Sequence, residues 1–186
     1  MKALVLIAVM TSAIILLPLS AQAGFFFESH NKIVDGEVTP VLNFYNTHDI
    51  NKKVQVFAYC MIGKTYCEGY SGLAYSPRSW LQIGAGGGME TADSPWRIAT
   101  FFWAGKGPVS AIAYYEDGGS GYWWLGKATY TINKIVTAGI LGKRFTGVGP
   151  LVEISIPKTH FKIWGLPAYD FEDDTQKTVL GISLNL

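Results

Sequence analysis

Four groups of residues in this sequence have the types and spacing to carry chemistry. Asp117 with Ser120, and Asp93 with Ser94, set a carboxylate near a hydroxyl, as acyl transfer or hydrolysis would require. A serine attacks only when a base takes its proton, and the three histidines, His30, His48 and His160, sit in other parts of the chain. Asp170, Glu172, Asp173 and Asp174 crowd one segment at a density that could hold Ca²⁺ through oxygen ligands. Their spacing matches no EF-hand loop, so a solvated acidic loop is expected. Gly84-Ala85-Gly86-Gly87-Gly88 has the glycine content of a phosphate loop but no Lys-Ser or Lys-Thr after it. In a strand, such glycines let the chain bend or let an aromatic ring lie against the backbone. Cys60 and Cys67 are the only cysteines; a hairpin turn between them in an oxidising compartment predicts a disulfide.

Each group must be positioned by some element, and the ends of the chain say where to look. Lys2 precedes an apolar run over 3–17, then Pro18 and Ala21-Gln22-Ala23, which reads as a secretory signal over 1–23. Its removal takes one of the 15 basic residues and leaves 14 against 14 acidic ones. A neutral chain argues against nucleic acid as the partner. The 163 residues left of 186 suit one domain, and aromatics at 14% with 21 glycines suit an all-β chain. Nothing in the motifs calls for a cofactor or a metal.

From Lys53 onward, strand-forming runs alternate with turn signals about every ten residues, the pattern of a β-meander. Strands are predicted over 53–62, 67–76, 79–88, 95–105, 108–116, 121–131, 134–142, 146–156, 160–169 and 176–186. Each has the length of about 9–11 residues that a tilted membrane strand needs. Ser76-Pro77-Arg78, Lys106-Gly107, Ile132-Asn133 and Pro157-Lys158-Thr159 read as tight turns, whereas 89–94, 116–121 and 170–175 read as longer, acid- or Gly-rich loops. Residues 24–52 are expected to form an extra strand or a periplasmic segment, and 53–186 the barrel.

Within the strands one parity is apolar: Val54, Val56 and Ile62, then Ile83, then Trp96, Ile98 and Phe102, then Val152, Ile154 and Ile156. The other parity places a polar group in most strands, notably Glu68, Gln82, Arg97, Lys127, Glu153 and Lys162. A soluble calycin-like barrel binding a hydrophobic ligand would turn the apolar set inward. A membrane barrel turns it outward and pairs the charges inside. In the last strand Leu180, Ile182, Leu184 and Leu186 form one stripe, as on the closing strand of a membrane barrel.

On these features residues 53–186 resemble small bacterial outer-membrane β-barrel proteins, although the class usually ends on an aromatic residue and this chain ends on Leu186. The resemblance implies a closed antiparallel up-and-down barrel of eight to ten strands in the outer membrane of a Gram-negative bacterium. Its polar set, Glu68, Gln82, Arg97, Lys127, Glu153 and Lys162, would line the interior. Large aromatics of the same parity, among them Tyr70, Phe101 and Trp103, predict a packed lumen and no general porin activity. The role expected is structural or one of surface interaction, with outer-membrane lipid as partner and with lipopolysaccharide or surface proteins met by loops 63–66, 89–94, 116–121 and 170–175. Lipid A palmitoyltransferases are small barrels of the same class that use His, Asp and Ser near the outer face. Asp117 with Ser120 touches that pattern, but no histidine accompanies the pair.

Overall fold

The computed structural model describes residues 23–186, and all of its regular elements are strands. Two strands, β1 (Ala23–Val34) and β2 (Glu37–Asn51), precede the meander. They are joined by Asp35-Gly36, with φ of 50° and 83°, the two-residue geometry whose twist suits a hairpin. Ten strands follow: β3 (Val54–Gly63), β4 (Cys67–Arg78), β5 (Leu81–Glu90), β6 (Trp96–Lys106), β7 (Val109–Gly118), β8 (Trp123–Thr131), β9 (Val136–Lys143), β10 (Gly147–Ser155), β11 (Phe161–Asp170) and β12 (Thr175–Asn185). Every bound of these ten lies within two residues of its sequence expectation. Each strand pairs antiparallel with the next, and β1 pairs with β12 from Phe26↔Asn185 to Ile33↔Thr178. The result is a closed barrel, so no strand edge is left unpaired.

The count is therefore twelve, against the eight to ten read from the sequence. Residues 24–52 supply the difference, as two full wall strands. The leader read over 1–23 lies, apart from Ala23, outside the described residues. Connections also depart from expectation. At the end carrying residue 23 and the C-terminus (the near end) they span two to five residues, and the far-end connections 35–36, 64–66, 91–95, 119–122, 144–146 and 171–174 are no longer. Among the described residues no loop is long enough to fold back and line the interior.

Faces follow the parity argument. Along β11 and β12 burial alternates residue by residue: Trp164, Leu166, Ala168 and Val179 are buried, and Ile163, Leu180 and Ile182 are exposed. Ile83, Ile98, Phe102, Val152 and Ile154 also stand on the outer wall. The calycin-like alternative required the opposite arrangement and is overturned, because Glu68, Arg97 and Glu153 are buried inside.

The disulfide expectation is corrected as well. Cys60 and Cys67 are free thiols. The β3–β4 register sets Cys60 opposite Gly69 and Cys67 opposite Ile62, so the pair is diagonal. Diagonal neighbours stand about 7–8 Å apart, beyond the separation of about 4.4–6.8 Å between α-carbons that a disulfide bridges.

Ile154 pairs with Val136 and Ile163 on the outer wall. Ile154 stands next to the near-end terminus of β10, so Ile154→Arg is expected to destabilise the membrane-inserted state by at most about 1 kcal/mol, whereas Leu180→Arg, at mid-strand on the outer face of β12, is expected to cost about 2–4 kcal/mol. Urea titration of the protein folded into liposomes measures the loss, and an unchanged midpoint for Leu180→Arg would contradict the assignment of faces.

Candidate functional site: the packed lumen

The inner wall begins with a gap in the side chains. Gly84, Gly86 and Gly88 alternate on the inner face of β5, between Gln82 and Glu90. A β-carbon at Gly84 would stand 2.2 Å from the Phe101 ring, and one at Gly86 would meet the Ser71 carbonyl at 2.5 Å with the Phe57 ring beside it. With no side chains on β5 there, rings from β3 and β6 meet over it: Phe57 and Phe101 lie 5.4 Å apart, edge to face. Tyr45 extends the layer from Phe57 at 5.9 Å, and Tyr114 from Phe101 at 5.4 Å. An aromatic layer thus runs from β2 to β7 across one half of the lumen. Phe57 is 1% exposed.

Above this layer, towards the far end, Arg97 on β6 gathers three carboxylates. Its Nε lies 3.0 Å from Glu68 Oε2, Nη1 3.0 Å from Glu90 Oε2, and Nη2 2.8 Å from Glu116 Oε2. The far-end connections finish the cage. Ser120 Oγ donates to Glu90 Oε2 at 2.8 Å, Ser120 N donates to Glu90 Oε1 at 2.5 Å, and Arg97 Nη1 donates to the Gly121 carbonyl at 3.1 Å. Tyr70 donates to Glu116 at 2.8 Å. Tyr66, in connection 64–66, donates to Glu68 at 2.7 Å and also meets Glu90. Burial and the neighbouring Glu68 carboxylate raise the Tyr66 phenol well above its ordinary pKa, so it stays a donor. Three carboxylates around one guanidinium tie β4, β5, β6 and β7 together.

The other half is packed differently. Leu141, Leu151, Trp164, Leu166, Ala168 and Val179 pack on one another, with Leu125 against them. Gly181 leaves room for the Trp164 ring, which a β-carbon there would meet at 2.4 Å. A polar seam crosses from β9 to β1, with three strands between them round the wall. Lys143 Nζ lies 3.2 Å from His30 Nε2, His30 Nδ1 lies 3.1 Å from Glu28 Oε1, and Asn43 and Tyr59 continue the chain. Lys177 holds Asp170 at 2.5 Å and Asp173 at 2.7 Å at the far rim, so two carboxylates of the loop expected to be solvated are ion-paired.

The six interior polar residues named from sequence all face the lumen, in separate groups. Glu68 and Arg97 meet in the cage. Gln82 donates to Gln55 Oε1 at 2.7 Å and Ser76 Oγ at 3.3 Å. Lys127 and Lys162 share Glu153, at 2.5 Å and 3.5 Å. Glu90 and Glu116 were missed because the strand ends were set two residues early, which left Glu90 in a loop and Glu116 where a strand passes into one. His30 and Glu28 were missed with the strands of 24–52, and Lys143 because its strand was ended at 142. Ser120 spends its hydroxyl on Glu90 and Arg97. Asp117 belongs to the opposite, outer parity of β7 and accepts from the Gly118 amide at 3.0 Å.

A closed twelve-strand meander with an apolar exterior and ion pairs inside has the fold of a bacterial outer-membrane porin-type barrel. Among solved structures, the KdgM porin superposes with a TM-score of 0.60 at 14% identity, covering 87% of this chain and 99% of that one, and the same figures hold for the KdgM porin in complex with disordered oligogalacturonate. The NanC porin superposes with a TM-score of 0.51 at 11% identity, covering 86% of this chain and all of the other. No protein-family model and no curated protein sequence matches the chain.

Arg97→Met would leave three buried carboxylates without their cation. It is expected to cost about 3–5 kcal/mol, whereas Glu116→Gln, which leaves Arg97 two partners, costs far less. Denaturant midpoints of the two folded variants compare them; equal losses would contradict the central place given to Arg97.

Proposed function

We propose that this chain is an integral barrel of the Gram-negative outer membrane, exported by its leader, with a structural or surface-interaction role and a lumen too obstructed for general diffusion. The supporting observation is that side chains of non-adjacent strands meet across the interior in both halves. Phe57 meets Phe101 in one, and Lys143 meets His30 in the other. Leu166 and Val179 have no exposed surface at all. A wide aqueous pore would leave such groups wet.

Charge supports the same reading. Arg97, Lys127, Lys162 and Lys177 are each already paired with a carboxylate. A polyanion such as the oligogalacturonate in complex with the KdgM porin would have to compete with those carboxylates for these four cations. The far rim, by contrast, offers contact surface. Phe171 is 75% exposed, Tyr169 packs edge-on against it, and Arg144 lies 3.7 Å over the Tyr122 ring. Such aromatic and cationic groups suit the headgroup level of a bilayer, with outer-membrane lipid and lipopolysaccharide as the partners.

Planar-bilayer recording in molar KCl tests the proposal. Folded, heat-modifiable protein is expected to insert without stable conductance steps. Reproducible ohmic steps from the unmodified chain would overturn it and make the protein a channel.

A further inference from the structure

On the near side of the aromatic layer the lumen opens into a cavity of about 360 Å³. Its walls carry the rings of Tyr45, Phe101, Trp103 and Tyr114 together with Gln82, Ser76 and Ser79, and no charged side chain among them. The Trp103 ring is laid flat against the wall: a β-carbon at Gly105 would stand 2.7 Å from its Cζ2, so the missing side chain is what lets the indole lie there. Gly84 gives Phe101 the same freedom one strand away. Gln82 is fixed by the two bonds of its amide nitrogen, to Gln55 and Ser76, and its carbonyl oxygen has no partner among the described residues.

We infer that this near-end cavity is a binding site for an uncharged saccharide of one or two rings. Flat aromatic faces cover the apolar C–H face of a pyranose, and fixed amide and hydroxyl groups exchange hydrogen bonds with its rim. The volume lies in the range of about 300–1,000 Å³ in which small-molecule sites fall, and the mix of apolar wall and a few oriented polar groups is theirs too. An ionised sugar would lose hydration there without meeting a counter-charge. Because the cavity lies below the layer formed by Phe57 and Phe101, its occupancy does not depend on whether the lumen conducts.

The test is saturation-transfer NMR on the folded barrel in lauryldimethylamine oxide, a detergent without a sugar headgroup, with maltose, cellobiose, lactose and galacturonate as probes. At least one uncharged disaccharide should give saturable binding in the millimolar range, and galacturonate none. Trp103→Ala should weaken that binding by about tenfold, the scale of one aromatic contact with its buried area. Trp103→Phe should retain most of it, and Gln82→Leu should weaken it while leaving heat-modifiability intact. Absence of saturable binding by all three uncharged sugars, equal binding of galacturonate, or unchanged affinity in folded Trp103→Ala would each overturn the assignment.

Discussion

A β-carbon on Gly84, Gly86 or Gly88 would collide with the Phe101 ring, the Ser71 carbonyl or the Gly69 carbonyl, and the interior of this barrel depends on their absence. Twelve strands enclose more space than the inward side chains of a regular cylinder can fill. Here β5 contributes no side chain to that space between Gln82 and Glu90. β4 and β6 approach each other across it, and Phe57 and Phe101 occupy the room that three side chains would have taken. The aromatic layer is therefore a consequence of where one strand has no side chains.

The placement of charge follows from the same packing. With apolar groups filling mid-height, ionisable side chains collect above and below: the Arg97 cage and the Lys177 pairs towards the far rim, and Lys127, Glu153 and Lys162 towards the near end. Burial makes each unpaired charge costly, so these groups sit in closed sets, and the Arg97 cage shares further hydrogen bonds with Tyr66, Tyr70 and Ser120. The cage also binds the 64–66 and 119–122 connections to the wall. Short connections are thereby tied to the wall by side-chain bonds of their own.

Much of this was legible in the sequence. Period-2 alternation with regular turns located ten of the strands, because a face turned to lipid and a face turned inward cannot exchange parity without penalty. The fit of glycines to rings was legible in kind, though which ring met which glycine needed the register. Strands β1 and β2 were hidden by mixed polarity: Glu28, His30, Lys32 and Asn43 interrupt their apolar pattern, and each proves to be an inward residue. Asp35-Gly36, a strong hairpin signal between them, would have exposed the pair. Glu68 and Arg97 were read as interior, but the cage itself could not be, since Glu68, Glu90, Arg97 and Glu116 come from four strands whose stagger only the closed wall fixes. Cysteine spacing misled, because seven residues apart across a three-residue connection is a diagonal in this register.

Water access at mid-lumen is the quantity on which the account turns. Solvent paramagnetic relaxation of methyl protons in the unmodified protein, embedded in nanodiscs, reports it directly with one water-soluble gadolinium chelate and one lipid-borne nitroxide. The methyls of Leu151, Leu166 and Val179 should be relaxed by neither agent, and those of Ile154 and Ile163 by the nitroxide alone. Strong relaxation of the inner methyls by the gadolinium chelate would show an open, hydrated lumen and contradict the account.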